Sequence, residues 1–129
     1  MDKWEMEDRT RSFALGIVRF VAKMPKDRMS DVLGRQLLRA ATSVGANYHE
    51  ANRAESRSDF HHKIALVEKE ASETCYWLKL CQEAPLGEPT ECAHLLQEAD
   101  QLLAMFTVVG KKTRPASSQV KEPIPDEFI

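Results

Sequence analysis

Apolar residues recur at spacings of three and four over four stretches of the chain, and polar residues occupy most positions between them. This period is typical of amphipathic α-helices, whereas a strand would alternate at every second residue. The pattern predicts helices near residues 5–24, 28–54, 58–84 and 90–110, and it predicts no strand. The expected fold class is therefore all-α.

The third predicted helix has the most regular apolar pattern. Its apolar positions alternate strictly by four and three residues, at Phe60, Ile64, Val67, Ala71, Thr74, Leu78 and Cys81. This alternation is typical of helices that pack side by side at a shallow angle, as in coiled coils. Because the connections are short and the helices are similar in length, neighbours should run antiparallel. The sequence predicts an antiparallel up-down-up-down four-helix bundle over residues 1–110.

Pro25 and Thr90 mark predicted helix boundaries, and two glycines lie inside a predicted helix. Pro25 is expected to end the first helix, because proline disfavours the helical conformation in the residue before it. Thr90 is expected to cap the fourth helix. Gly34 and Gly45 lie inside the second helix, where each costs about 1 kcal/mol relative to alanine. They are explained either by the close approach of another helix or as tolerated defects.

The composition changes after the fourth predicted helix. Residues 111–129 contain three prolines and two adjacent serines, and they have no helical periodicity. Such a composition predicts a disordered C-terminal tail. The chain is thus expected to comprise one domain, residues 1–110, and this tail.

The overall composition is that of an ordinary globular protein, with 129 residues, 43% hydrophobic and 29% charged. No apolar run approaches the roughly 18 to 20 residues that span a bilayer. The charged N-terminus also lacks the apolar segment of a secretory signal. We therefore expect a soluble, cytoplasmic protein without a membrane partner.

The three cysteines, Cys75, Cys81 and Cys92, are an odd number and show no CxxC spacing. Both features argue against a disulfide framework and against a zinc site. Each cysteine occupies an apolar helical position, where a free thiol behaves as a small hydrophobic group. We expect three reduced thiols in the core.

Charge is divided unevenly along the chain, although the formal net charge is only −2. Residues 1–57 carry a net charge of +3, and residues 58–110 carry a net charge of −6. Such asymmetry favours contact between unlike faces of neighbouring copies. It argues against a uniformly basic surface for nucleic acid, but it is compatible with a local basic strip.

A stripe of polar side chains follows the apolar seams of the second and third predicted helices. Its members are Arg39, Ser43, Asn47, Glu50, Arg53, Asp59, Glu70 and Glu73. Antiparallel pairing should bring Arg39 against Glu70 or Glu73, and Arg53 against Asp59. Arginine–carboxylate pairs of this kind set the orientation of two elements.

The sequence also makes predictions for Glu50 and Asn47, two other members of the stripe. Glu50 should lie level with His62 or Lys63, and Asn47 should be largely buried.

Three interpretations of the stripe stay open at this point. The stripe fixes the register of a helix hairpin, lines a ligand or active-site pocket, or forms a subunit interface.

Residues 36–80 resemble the signature region of four-helix-bundle proteins that are encoded in intervening sequences of bacterial large-subunit ribosomal RNA genes. The matching positions are Gln36, Leu37, Arg39, Ala41, Ser43, Val44, Asn47, Glu50, Arg53, Phe60, Glu70 and Glu73. The resemblance extends over residues 13–109. It implies an up-down bundle that assembles into a homopentameric ring, with no established activity. A related group, the accessory proteins of diversity-generating retroelements, works with a reverse transcriptase and RNA.

Motifs for catalysis and metal binding are weak in this sequence. Glu91 and His94 have the Glu-x-x-His spacing of di-iron bundles, but such a site needs two of these motifs and two further glutamates. His61 and His62 are adjacent, so they diverge by about 100° on a helix. The sequence contains neither a glycine-rich phosphate loop nor a nucleophile elbow. We expect a non-enzymatic protein without a cofactor or metal.

Two surfaces remain as candidates for partners. Arg28, Arg35 and Arg57 could contact nucleic acid if Arg35 and Arg57 stay free on one continuous surface. Leu66 and Trp77 lie outside the apolar seam of the third helix, where a single bundle cannot easily bury them. The favoured hypothesis is a homo-oligomer that assembles or adapts other proteins, with an unidentified protein partner. The alternative is an RNA-binding accessory protein that uses a basic strip on the first two helices.

Overall fold

The computed structural model describes residues 1–114, which form four helices. These are α1 (Lys3–Ala22), α2 (Arg28–Ala51), α3 (Arg57–Glu83) and α4 (Pro89–Lys112). The described part of the chain contains no strand, and none of its helices is long and apolar enough to cross a membrane. Every helix boundary lies within three residues of its predicted position, and the all-α prediction is confirmed. Helix α4 includes the first two residues of the predicted tail, whose residues 115–129 lie outside the described part.

Side chains cap the start of every helix. The caps of the first three helices are Asp2, Asp27 and Ser56. Helix α4 is capped by Glu88 and not by Thr90, because Pro89 already occupies the first helical position. The Glu88 carboxylate accepts the backbone N–H groups of Glu91 at 2.7 Å and Thr90 at 3.1 Å. These two hydrogen bonds lower the pKa of Glu88 below its ordinary value.

Contacts between the helices determine their directions. Thr10 lies beside Gly45 and Val21 lies beside Gly34, so residue numbers rise along α1 as they fall along α2. The same relation holds between α1 and α4, and between α3 and α4. Helix α3 is therefore parallel to α1 and antiparallel to α2. The bundle has the predicted up-down-up-down arrangement.

The core lies where the four apolar seams meet. Its largest fully buried side chains come from all four helices and include Ile17, Phe20, Leu37, Ile64, Leu78, Leu102 and Phe106. The rings of Tyr48 and Phe106 pack with their centroids 5.1 Å apart. The predicted seam of α3 is buried except for Phe60, which is half-buried at the first turn. Thr74 is buried in this seam because its hydroxyl donates to the carbonyl oxygen of Glu70 at 2.7 Å.

A side chain added at Gly34, Gly45 or Gly87 would meet different surroundings at each position. A Cβ at Gly34 would lie 3.1 Å from Val21, so this glycine does permit a close approach between α1 and α2. A Cβ at Gly45 would make only ordinary contacts of 3.5 Å or more with Thr10. Gly87, in the α3–α4 turn, has a φ of +80°, and a Cβ there would lie 2.5 Å from the ring of Phe20. The α3–α4 turn therefore requires glycine at this position.

Replacing Gly87 with alanine should lower the free energy of unfolding by about 2 to 4 kcal/mol. The cost combines the left-handed conformation of a residue with a Cβ and displacement of the buried Phe20 ring. Urea denaturation followed by circular dichroism measures it. The matched control is Gly45→Ala, which should raise stability by about 0.5 to 1 kcal/mol because its Cβ fits in a helix. Equal effects of the two changes would contradict this account of the turn.

Candidate functional site

The polar stripe between α2 and α3 is centred on Arg39. Its guanidinium donates to Glu70 at 3.1 Å and also to Glu73, so the contact expected from the antiparallel register is present. The hydrogen bond to Glu73 raises the pKa of Arg39 above its ordinary value. The Arg39 side chain is nevertheless 50% exposed. Pairs this open to water contribute little stability, so the main effect of this one is to orient the two helices.

Two further members of the stripe bond to their own helix. Ser43 donates to the carbonyl oxygen of Arg39 at 2.8 Å, and Asn47 donates to the carbonyl oxygen of Ser43 at 2.9 Å. Because each side chain uses a carbonyl four residues earlier, neither needs a partner on α3. Asn47 lies between the buried and the exposed residues, with most of its surface shielded, in keeping with the expectation that it would be largely buried.

The expected pairing of Arg53 with Asp59 is wrong. Helix α2 ends three residues before its predicted end, so Arg53 lies in the turn and its side chain reaches α1. There its guanidinium lies 3.4 Å from the carboxylate of Glu7. Asp59 instead lies 3.5 Å from the ammonium group of Lys63, one turn along its own helix. Glu50 is exposed and its carboxylate has no polar partner within residues 1–114, so its expected pairing is absent.

Glu7 is the centre of a polar cluster that sequence analysis missed. Its carboxylate shares a 2.9 Å hydrogen bond with His49 and accepts one of 3.2 Å from Asn52, beside Arg53. Burial would raise the pKa of Glu7, but the bonds from Asn52 and His49 and the charge of Arg53 outweigh it and lower the pKa. The stabilisation therefore holds above the carboxyl's unfolded pKa and is lost as pH falls through the lowered folded value. The spacing of His49, Asn52 and Arg53 by three and four residues was visible in the sequence, but the helix that these side chains would contact was not.

Helix α1 is joined to α4 by a second group of ion pairs. The guanidinium of Arg9 makes two hydrogen bonds to the Glu98 carboxylate, at 2.8 and 2.7 Å, and a third to Gln101 at 2.9 Å. The bonds to Glu98 raise the pKa of Arg9. Lys23 pairs with Glu91 at 2.8 Å further along the same two helices. The basic first half of the chain thus neutralises much of the acidic second half within one protomer.

Two of the three arginines proposed for nucleic-acid contact, Arg28 and Arg35, line the same cleft, and the third, Arg57, lies beyond the other end of α2. Arg35 pairs with Asp31 on its own helix at 2.5 Å. Arg57 donates to carbonyl oxygens at the C-terminus of α4 at 3.1 and 3.4 Å. Arg28 has no polar partner among residues 1–114, but it begins α2, and Arg57 follows the other end of that helix. The 24 residues of α2 separate the two ends by about 36 Å. Arg35 and Arg57 therefore each have a polar partner within the chain and are not neighbours, so these two residues do not by themselves form a continuous basic strip.

The residues proposed for a subunit interface are more enclosed than expected. Trp77 is half-buried and packs against the core, and Leu66 is also half-buried. Helix α3 lies between α2 and α4, so its neighbours cover more of its circumference than a single seam. The neighbouring Tyr76 was missed as a candidate and is 57% exposed, with its ring edge-on to Trp77 at 5.1 Å. Tyr76 is thus the aromatic side chain that this face presents to solvent.

Two shallow clefts follow the outer seam between α1 and α2. The larger, of about 710 Å³, lies at the α1–α2 turn. Its charged lining residues are Lys26, Asp27, Arg28, Asp31 and Arg35. Because both signs are present, this cleft does not select a ligand by charge. The smaller cleft, of about 220 Å³, lies beside the Glu7 cluster. No group of three metal-ligating side chains occurs within residues 1–114.

The cysteines are free and buried in the part of the chain that the structure describes. Burial raises the pKa of Cys75 to about 12 and that of Cys81 to about 11. Burial also raises the pKa of Cys92. Because the thiolate is the nucleophilic form, these thiols are unreactive at neutral pH.

The chain is similar to one protein family and to solved structures. The family model described as 23S rRNA-intervening sequence protein matches residues 2–108. A solved structure of a protein of unknown function from the S23 ribosomal protein family of Bacteroides thetaiotaomicron is 30% identical, with a TM-score of 0.78. That match covers 86% of this chain and 99% of the other. No protein with a curated description matches the sequence.

A double-mutant cycle on Arg9 and Glu98 should give a coupling energy of about 1 to 2 kcal/mol, because this pair is two-pronged and largely enclosed. The variants are Arg9→Met, Glu98→Gln and their combination, measured by urea denaturation. The control is the same cycle on Arg35 and Asp31, whose side chains are 72% and 67% exposed. The control should give less than about 0.5 kcal/mol. Similar coupling energies in the two cycles would show that burial does not make the Arg9–Glu98 pair stronger than the Arg35–Asp31 pair.

Thiol labelling should separate the native protein from the unfolded one. At pH 8, the native protein should react slowly with a maleimide, because its thiols are buried and carry raised pKa values. In urea, all three cysteines should react within minutes. An Ala65→Cys variant supplies the control, since residue 65 is exposed on α3 and should label rapidly in the native state. Fast labelling of the unaltered native protein would contradict the buried positions.

Proposed function

This chain belongs to the 23S rRNA-intervening sequence protein family, and we propose that it is a non-enzymatic assembly protein. Copies of the chain associate into a closed ring, and the ring acts as an adaptor for another protein. The expected number of copies, five, comes only from the resemblance described above. The sequence and structure supply separate support for association and for the non-enzymatic role.

The observation that carries the proposal is a set of large apolar side chains outside the core. The exposed members are Met1, Trp4, Leu15, Val18, Met29, Val32, Tyr76 and Val108, each at least 43% exposed. Single apolar residues are normal on a protein surface. Here Leu15 and Val18 share one face of α1, and Met29 and Val32 share one face of α2, at spacings of three residues. Grouped apolar surface of this kind marks contact with a partner.

The polar side chains also support a non-enzymatic assembly role. Arg39, Glu7 and Arg9 are each engaged by side chains of a neighbouring helix. They hold helices in position, each between a different pair of helices. Side chains used in this way contribute to the shape of the bundle, and a stable shape is what an assembly protein needs from its polar residues.

Light scattering with size-exclusion chromatography should show a mass about five times the 14.6 kDa of one chain at micromolar concentration. The mass should be constant over a tenfold dilution, because a closed ring leaves no end for further addition. A mass at another fixed multiple of 14.6 kDa would support self-association but contradict a ring of five copies. A mass near 14.6 kDa would end the proposal.

The adaptor role has its own experiment. Tagged protein is used to capture partners from extracts of the native host, with and without nuclease treatment. Protein captured equally under both conditions supports an adaptor. Capture that disappears after nuclease treatment would favour the RNA-binding alternative.

A further inference from the structure

The outer side of α1 carries apolar side chains that nothing in the described bundle covers. Leu15 and Val18 are 46% and 43% exposed, and Ala22 is exposed one turn further along. Their spacings of three and four residues place them on one side of the helix. Trp4, which is 57% exposed, lies on the same side near the start of α1. We call these four residues the α1 face.

Charged groups leave a positive excess beside the later half of the α1 face. Arg19 is exposed, and its guanidinium has no polar partner within residues 1–114. The adjoining α1–α2 turn carries Lys26 and Arg28 against one carboxylate, that of Asp27. The ion pairs of Glu7 and Arg9 described above are balanced, and so are the other pairs that border this face, Asp8–Arg11, Lys23–Glu91 and Asp31–Arg35. A segment that covers the α1 face should therefore combine apolar and acidic side chains.

Residues 115–129, which follow the described part of the chain, have this composition. Their apolar side chains are Val120, Ile124, Phe128 and Ile129. Their charged side chains are three carboxylates and one ammonium, those of Glu122, Asp126, Glu127 and Lys121. Pro123 and Pro125 favour an extended polyproline conformation over a helix. In that conformation residues 120–128 span about 25 Å, close to the roughly 27 Å from Trp4 to Ala22 on α1.

We propose that residues 120–129 dock on the α1 face of the same chain and control the access of partners to it. Phe128 then packs against Val18, and the two carboxylates that precede Phe128 lie beside Arg19. Lys121, at the other end of the segment, lies near the carboxylates that cap the start of α1. The inference is separate from the proposed self-association, for which the other exposed apolar side chains remain.

The chain is long enough for this contact. Leu95 of α4 lies beside Gly16 of α1, and the two helices are antiparallel. Arg114 is therefore about 28 Å along the bundle axis from the level of Gly16, and Val18 is about 3 Å further. With about 15 Å from α4 across to the outer side of α1, the path from Arg114 to Val18 is about 35 Å. The residues from Arg114 to Phe128 span about 43 Å in a polyproline conformation.

Other exposed apolar side chains are poorer sites for this segment. Met29 lies about 43 Å from Arg114 along the bundle axis alone, which already uses the full span of the chain up to Phe128. Tyr76 is within reach, but residues 58–110 carry a net charge of −6, which repels an acidic segment. Around Tyr76 the cations have equal numbers of carboxylates beside them, namely Lys69, Lys79 and Arg39 against Glu70, Glu73 and Glu83.

Cross-linking within one chain tests the contact. Ala22→Cys and Ile129→Cys are introduced together, and the dilute protein is treated with a short bismaleimide, while the native thiols stay buried. The product should form about tenfold faster than in the control, which combines Ile129→Cys with Ala65→Cys. Ala65 is exposed on α3 and lies nearer to Arg114 than Ala22 does, so an undocked segment would meet it more often. Digestion and mass spectrometry measure both rates.

Two outcomes would overturn the inference. Cross-linking to Ala65→Cys that is as fast as cross-linking to Ala22→Cys would mean that the segment does not dock on the α1 face. A mixture of separate Ala22→Cys and Ile129→Cys proteins should give few cross-linked dimers. Dimers formed as fast as the product within the doubly substituted chain would assign the contact to a neighbouring copy.

Charge reversal gives a second measurement. Arg19→Glu should slow the cross-link within one chain about fivefold, because repulsion replaces the attraction for Asp126 and Glu127. Adding Asp126→Lys and Glu127→Lys should restore the rate. The matched control is Lys69→Glu, the same change on the outer side of α3, and its rate should stay within about twofold of the parent. An unchanged rate for Arg19→Glu, with the helical circular dichroism retained, would contradict the placement of the acidic residues on this face.

Discussion

Burial of one apolar seam per helix is the constraint on which the rest of this structure depends. A helix with such a seam can shield it from water only against other helices, and four of them enclose a continuous core. Phe20, Ile64 and Phe106 belong to that core and are almost fully shielded. Once the seams are turned inward, the side chains that flank each seam must face the neighbouring helix. The positions of the charged groups follow from this packing.

The flanking charges join helices that are distant in sequence. Arg9 binds Glu98 across α1 and α4, and Arg39 binds Glu70 and Glu73 across α2 and α3. The unequal charge of the two halves of the chain is thus partly satisfied within one protomer. It therefore gives a weaker reason for association between copies than the sequence indicated. The exposed apolar side chains give the stronger reason, because nothing in the described bundle covers them.

The polar stripe shows why a conspicuous pattern in a sequence need not be a site of chemistry. Ser43 and Asn47 are satisfied by carbonyl groups of their own helix, and Arg39 is half exposed between two glutamates. Such groups set the register and orientation of a hairpin at little energetic gain. The role that the structure supports for the stripe is geometric, since its Arg39 pairs with Glu70 and Glu73 and so holds α2 and α3 in one alignment.

The sequence by itself determined the four helices, their antiparallel order and the pairing of Arg39 with α3. These features depend on local periodicity and on a short turn, which leaves little freedom in the register of two helices adjacent in sequence. Only the tertiary structure decided that Arg53 meets Glu7, that Arg9 meets Glu98 and that Trp77 packs inward while Tyr76 faces solvent. These contacts depend on where a helix ends and how it is rotated about its axis. Each residue added to a helix turns the next side chain by about 100°, so ending α2 three residues early redirects Arg53 towards a different neighbour.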